Sequence, residues 1–175
     1  LWEFYRVSDP KQLAELSTIC MGQNTTATAK ESIVVVARPD LWRKRAEANM
    51  DNVKRVHGDR PSFRGQSALD YYGKLMPLLY NNDALGIRGL FKKIYVSIVG
   101  LKKPMVRQVT ATDIRIVAHK SAALAAQTFM LSMVAEGHDT CPVEGFDSLR
   151  LKRFLNLPSK AEVNMVITCG KRIPE

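Results

Sequence analysis

The feature that most constrains the fold is a long helical stretch that is apolar almost all round. It begins at Thr112 and Asp113, where Thr112 is the expected N-cap, and it reaches about Glu136. Between Ala122 and Ala135 the sequence AALAAQTFMLSMVA leaves almost no polar side. A helix that is apolar on every face is normally buried on every face. In a chain of 175 residues, this pattern predicts a dimer whose core crosses the subunit interface.

Three stretches rich in β-branched or aromatic residues predict strands: LWEFYRV at the start, SIVVVARP in the first quarter and AEVNMVITCG near the end. Further helices are predicted after Asp9, over residues 40–56 and 67–80, and from Asp147 as N-cap to Leu155. The segment GHDTCPVEGFD, residues 137–147, is expected to be a loop between two helices. These elements favour two-layer α+β packing in a single domain over residues 1–175.

The composition points to anionic partners and a reducing compartment. Lysine and arginine number 26 against 17 acidic residues, a formal charge of +9, which favours nucleic acid, an anionic membrane surface or a phosphorylated ligand. Cys20, Cys141 and Cys169 are widely spaced and form no CxxC pair, so neither a zinc site nor a disulfide framework is indicated. Cytoplasmic localisation is therefore expected. No apolar run reaches membrane-spanning length.

Motifs of side-chain catalysis are missing from the sequence. His57, His119 and His138 lack metal-ligand spacing, so no metal site is predicted. The sequence also contains no GxSxG, GxxxxGK[ST] or GxGxxG pattern, which leaves serine-hydrolase and P-loop functions unsupported.

The segment 86–104 is amphipathic and basic. Leu90, Phe91, Ile94, Ile98 and Leu101 line one side of it, and five lysines and arginines supply the charge. Three interpretations are open: a surface helix packed by one face, a lid over a ligand, or a peripheral contact with a membrane. Nucleic acid is not an expected partner, because the basic residues are not interleaved with stacking aromatic residues.

The segment GHDTCPVEGFD has two interpretations. A proline followed by a strained turn can direct backbone N–H groups at one point and so bind a ligand through the main chain. Alternatively, the segment is a helix–helix connector in which Gly145 supplies an unusual dihedral angle. Composition alone favours the connector.

The passage from Ala122 to Asp147 resembles the FMN-dependent nitroreductase superfamily. Members of that family carry an alanine-rich central helix followed by a Pro-Ile-Glu-Gly-Phe-Asp loop, which here reads PVEGFD over residues 142–147. LWEFYRVSDPKQLAEL and LNLPSKAEVNMVITCGKR look like the first and last core segments of the family. The resemblance implies an α+β nitroreductase-like fold with a mainly antiparallel central sheet flanked by helices and a dimeric core.

The resemblance also implies a cofactor site. The loop would lie against the flavin ring of FMN, with the backbone N–H of Glu144 reaching the flavin N5 and with Pro142, Val143 and Gly145 shaping the contact. Because the flavin does the redox chemistry, no catalytic acid or base is required.

Outlying positions complete the implied site. Asn24 stands where family members place an asparagine at the pyrimidine edge of the flavin, and Lys171 and Arg172 begin a region that commonly reaches the phosphate. The basic residue that often follows that asparagine is not matched at Ala27, and Lys30 is the expected substitute. The family's Arg-x-Ser-x-Arg segment would precede Leu1, so the chain is expected to lack N-terminal and C-terminal segments of the domain.

The function implied by the resemblance is electron transfer from NAD(P)H through FMN to a nitroaromatic, a quinone or a similar small acceptor, in a homodimer. Two alternatives stay open. One is a non-catalytic basic α+β module that binds anionic membrane or nucleic acid through Leu90 to Lys103. The other is a flavoprotein of the same fold with different reductive chemistry, such as dehalogenation.

Overall fold

The structure is a computed structural model that describes residues 1–58, 62–83 and 85–171. The chain forms two compact units with boundaries after residues 39 and 117, the second of which falls within a long helix over Ala111–Ala135. We call residues 1–39 together with 118–171 the sheet unit, and residues 40–117 the helical unit. The single domain over residues 1–175 stays a prediction.

The sheet unit contains four strands. They are β1 (Trp2–Val7), β2 (Glu31–Ala37), β3 (Asp139–Val143) and β4 (Glu162–Gly170), in the order β1-β2-β4-β3 with every pair antiparallel. The three predicted strands and the antiparallel sheet are confirmed. The prediction of a loop throughout residues 137–147 is wrong, because β3 lies within it. Its proline is compatible with a strand because β3 lies at the edge of the described sheet, where a missing N–H donor costs little.

Helices cover both faces of this sheet. Helices α1 (Pro10–Ile19) and α8 (Ser148–Phe154) lie on one face and α7 (Ala111–Ala135) on the other, while the short helix α2 (Asn24–Thr28) connects α1 to β2. Val34 and Val36 belong to the core beneath α1 and α8, whereas Val35 and Ala37 belong to the core beneath α7. The unit therefore has three layers rather than the predicted two, because the uninterrupted apolar run of β2 gives it two faces to bury.

The long helix α7 is buried on one side in this chain. Ala118, Ala122 and Ala126 repeat every four residues and are fully buried against the sheet. Leu124 and Leu131, on the opposite side, are 71% and 61% exposed. The prediction of burial on every face is therefore not met within a single chain. The alanines instead allow the helix to approach the sheet closely.

The helical unit contains α3 (Trp42–His57), α4 (Phe63–Asp70), α5 (Met76–Tyr80), α6 (Ile87–Val99) and the start of α7. A 3₁₀ turn at Pro39–Leu41 precedes α3, and a π-helical turn at Tyr71–Leu75 joins α4 to α5. The predicted helix over 67–80 begins earlier than expected, because the Ser62 hydroxyl accepts a hydrogen bond from the Gly65 N–H at 3.3 Å. Within the described ranges, no helix combines the length and apolar character needed to cross a membrane.

The N-terminal end of α7 is capped by Thr110 rather than by Thr112. The Thr110 hydroxyl accepts a hydrogen bond from the Asp113 N–H at 3.2 Å, and the Asp113 carboxylate accepts from the Thr110 N–H at 3.0 Å. This reciprocal pairing is a capping box. The hydrogen bonds from Thr110 hold the pKa of Asp113 below its usual value, so the stability they give is lost as the pH falls through that lowered pKa.

We predict that Thr110→Val lowers the free energy of unfolding by about 1 kcal/mol, because the start of α7 loses its capping hydroxyl. Thr112→Val is the matched control, since Thr112 is exposed and its replacement should change stability by less than about 0.5 kcal/mol. Denaturant unfolding of both variants measures the difference. Equal losses in the two variants would contradict the assignment of the cap.

Candidate functional site

The site begins at the turn that joins α1 to α2. Met21 and Gly22 both have left-handed backbone angles, with φ of 62° and 64°. The Gly22 N–H donates to the Ser17 carbonyl at 2.9 Å, which closes the C-terminal end of α1. This reversal places Gln23 directly before α2.

Gln23 joins this turn to the segment that follows β3. Its side-chain amide Nε2 donates to the Gly145 carbonyl at 2.8 Å and to the Cys20 carbonyl at 3.0 Å. The Asp147 N–H donates in turn to the Ile19 carbonyl at 3.0 Å. Two hydrogen bonds between distant parts of the chain therefore hold residues 145–147 in place. Sequence reasoning missed Gln23, because its partner lies 122 residues away and no local pattern marks it.

Gly145 makes a close approach to the Gln23 side chain and has no unusual dihedral angle. Its φ is not positive, so the connector interpretation was wrong on this point. A Cβ atom added at Gly145 would lie 2.9 Å from Gln23 Nε2, closer than side chains tolerate. A larger residue would have to displace the amide that holds the segment. The Asp147 prediction is confirmed, since its carboxylate accepts from the Leu149 and Arg150 N–H groups at the start of α8.

The predicted loop residues lie in two different environments. Pro142, Glu144 and Gly145 are exposed. Val143 is only 3% exposed and packs in the core beneath α1 and α8, so only its main chain can face a ligand. The sheet register ends at the pair Val143 and Val166, which leaves Glu144 just beyond the ladder.

A second set of predicted residues lines a pocket of about 390 Å³ in the sheet unit. It lies where β4 ends and β3 begins, and α2 contributes to its wall. Lys171 lines it, as does Lys30, the expected substitute for the missing basic residue. Asn24 is the exposed first residue of α2, next to the lining residue Thr25. Arg172 lies outside the described residues.

Helix α2 therefore connects the two parts of the site. Gln23, the residue before α2, donates a hydrogen bond to the Gly145 carbonyl. Thr25 and Thr28 of α2 line the pocket that also contains Lys30 and Lys171. The pocket is lined by Thr25, Thr28, Ala29, Lys30, Asp139, Thr140, Cys141, Thr168, Cys169, Gly170 and Lys171. The arrangement offers main-chain groups near Gly145 and, in the pocket, two lysines against one carboxylate, Asp139, an excess of positive charge that favours an anionic ligand.

The cysteines differ in access to solvent. Burial raises the pKa of the Cys20 thiol to about 11, and burial together with the nearby Glu31 raises the pKa of Cys169. Cys141 is only half-buried and lines the pocket. In the described ranges no group of three or more His, Cys, Asp or Glu residues could hold a metal ion. The His119 Nε2–H donates to the Glu162 carboxylate at 3.1 Å and its Nδ1 accepts from the Asn164 amide at 3.0 Å, which joins α7 to β4.

Comparison with known proteins places this chain in a family. The sequence profile of the Nitroreductase family matches residues 1–171. MhqN of Bacillus subtilis (strain 168), which its name assigns to the NAD(P)H nitroreductases, is 48% identical over 56 residues. That match covers 32% of this chain and 27% of MhqN, so it spans less than a third of either protein.

Solved structures share the fold. The crystal structure of YdfN from Bacillus subtilis, described as a nitroreductase, has a TM-score of 0.67 at 23% identity and covers 99% of this chain and 71% of its own. A protein from Exiguobacterium sibiricum, described as a nitroreductase in complex with FMN, has a TM-score of 0.61 at 16% identity. The match covers 99% of this chain and 68% of that protein. With a profile match over residues 1–171 and this shared α+β fold, the chain belongs to the nitroreductase family.

Proposed function

We propose that this chain binds FMN and passes electrons from NAD(P)H to a small acceptor such as a nitroaromatic or a quinone. The observation that supports this most directly is the hydrogen bond from Gln23 to Gly145, which holds an exposed stretch of main chain at the edge of the sheet. A flavin enzyme needs its protein to orient the cofactor and to tune it by hydrogen bonding. The three free cysteines accord with a cytoplasmic setting.

The residues present fit one side of such a cofactor. Glu144 and Gly145 are exposed and Gly145 carries no side chain, so a flat ring could approach their main chain. Lys30 and Lys171 share one pocket, where their ammonium groups would attract the phosphate. Asn24 lies at the start of α2 between these two parts and offers an amide donor and acceptor.

The chemistry then divides between cofactor and protein. When bound, FMN would supply two-electron transfer by taking hydride at N5 and releasing electrons to the acceptor. The backbone N–H of Glu144 is proposed to donate a hydrogen bond there, and Gln23 keeps that stretch from shifting by holding Gly145. Pro142 has no N–H, and its ring fixes the backbone angle φ two residues before Glu144. No side-chain acid or base is assigned to the reaction.

A second copy of the chain is proposed to complete the protein. A groove of about 620 Å³ in the sheet unit runs between β1 and α7 and is lined by Trp2, Phe4, Leu124 and Phe129, among others. The rings of Phe4 and Phe129 lie 6.0 Å apart, and Phe4 is 44% exposed. An exposed, uncharged apolar face of this kind is typical of a two-fold interface between identical subunits.

The absorption spectrum of the purified chain with added FMN is the experiment that tests the proposal. We expect a flavin spectrum that stays with the protein through gel filtration. It should bleach with NADH or NADPH and recover when a quinone is added. A protein that stays colourless after incubation with FMN would contradict the proposal.

Gly145→Val is predicted to reduce flavin retention at least about tenfold, because its side chain would displace the Gln23 amide 2.9 Å away. Glu144→Ala is the matched comparison. It should lose far less flavin, because the proposed contact is made by the main chain. Bound flavin per protein, measured after gel filtration, compares the two. A larger loss in Glu144→Ala would show that the side chain, not the main chain, makes the contact.

FMN is also predicted to protect Cys141 from alkylation. In the free protein Cys141 should react with iodoacetamide first, since it is half-buried, whereas Cys20 should react slowly because of its pKa of about 11. Added FMN should slow the modification of Cys141 without changing that of Cys20. Mass spectrometry of the digested protein measures both rates, and equal rates at Cys141 with and without FMN would place the flavin elsewhere.

A further inference from the structure

Helix α6 is anchored by an unusual inner face. Gly89 and Val96 are buried in the helical unit, and a Cβ added at Gly89 would lie 3.5 Å from the Thr110 Cα. Between them, the Lys92 ammonium donates to the carbonyls of Leu79 and Asn81, at 3.1 and 3.0 Å. Residues 89, 92 and 96 fall on one side of a helix. A glycine, a lysine and a valine therefore form the side that packs inward.

The opposite side of α6 is exposed and apolar. Phe91 is 68% exposed and Ile98 63%, and both lie on the outward side because residues 89, 92 and 96 face inward. The outward residues recur every three or four positions: Ile87, Leu90, Phe91, Ile94, Tyr95 and Ile98. We call these six residues the α6 stripe. A helix in water normally buries such a stripe, so this one is a candidate docking surface.

Positive charge surrounds the α6 stripe. Residues 85–112 contain six lysines and arginines and no acidic residue. Lys92 faces inward, which leaves Arg88 and Lys93 beside the stripe and Lys102 and Lys103 just after the helix, all exposed. The Asp83 carboxylate accepts hydrogen bonds from the Ile87 and Arg88 N–H groups at the N-terminal end of α6, and the Asp113 carboxylate lies near Lys93. The outward surface is thus apolar at its centre and cationic at its margins.

This charge pattern selects among possible partners. If the stripe met the same stripe of a second copy about a two-fold axis, the cationic margins of the two copies would face each other, which is unfavourable. An anionic bilayer surface satisfies both parts at once, because the apolar side chains enter the acyl boundary while the ammonium groups meet lipid phosphates. At 13 residues α6 is about 20 Å long, which suits a helix that lies in the plane of the interface.

We propose that the α6 stripe and its surrounding lysines dock the protein onto an anionic phospholipid surface. The contact belongs to the helical unit and uses none of the residues assigned to flavin binding. It is therefore independent of the proposed electron transfer, and either can fail without the other.

Flotation with vesicles tests this proposal. We expect the chain to bind vesicles made of equal parts phosphatidylglycerol and phosphatidylcholine. Binding to phosphatidylcholine alone should be much weaker, and raising the salt from about 0.05 M to about 0.5 M should weaken binding to the anionic vesicles. Equal binding to both vesicle types, or no binding to either, would overturn the proposal.

Two kinds of variant separate the apolar and the electrostatic parts. Phe91→Glu should abolish binding by placing a carboxylate in the stripe, and the double variant Lys102→Glu with Lys103→Glu should weaken binding roughly thirtyfold or more. Leu149→Glu is the control for the first, because Leu149 is 66% exposed but lies on α8 in the other unit. Lys11→Glu with Lys160→Glu is the control for the second. Circular dichroism checks that each variant folds.

The outcomes are distinct. Loss of binding in the α6 variants with binding kept in the controls supports the proposal. Equal losses in α6 variants and controls would show general attraction of a basic protein to lipid and overturn it. The proposal is also wrong if the native chain does not bind vesicles and Phe91→Glu converts a dimer to a monomer in gel filtration. In that case the stripe is a contact between copies of the chain.

Discussion

The pairing of β2 with β4 places two strands with two apolar faces at the centre of the sheet. In β2, Val34 and Val36 point to one side and Val35 and Ala37 to the other, and Val166 and Ile167 of β4 divide in the same way. Burying both faces requires helices on both sides, so the positions of α1, α8 and α7 follow from this pair. Both edges of the sheet then carry strands that are paired once, β1 and β3.

The candidate site depends on this arrangement because β3 lies at the edge of the described sheet, where β4 is its paired strand. Val143 fixes the end of β3 by entering the core, and the segment beyond it is held by Gln23 and by the carbonyl of Ile19. The main chain near Glu144 is thereby exposed yet held on both sides. The main-chain recognition that we propose would need no catalytic side chain, because geometry rather than acidity is what such a site supplies.

Two exposed apolar surfaces distinguish this chain, and they differ in charge. The groove between β1 and α7 is bordered by serine, threonine and alanine, which suits an identical surface. The α6 stripe is bordered by lysine and arginine, which does not. The two surfaces could not be distinguished by their exposed apolar side chains alone. The difference in their margins is the reason we propose a second copy for one surface and an anionic surface for the other.

The sequence by itself determined the strands β1, β2 and β4, the long helix α7 and the α+β class, because these depend on local periodicity and on the length of apolar runs. The family followed from the PVEGFD segment, since it is a contiguous motif. The tertiary structure decided that β3 is an edge strand, that Gly145 makes a close approach to the Gln23 side chain, and that Gln23 holds it. It also decided which side of α6 faces outward, through the bonds made by Lys92. Each of these depends on contacts between residues far apart in the chain or on how a helix is rotated about its axis, and local sequence does not encode either.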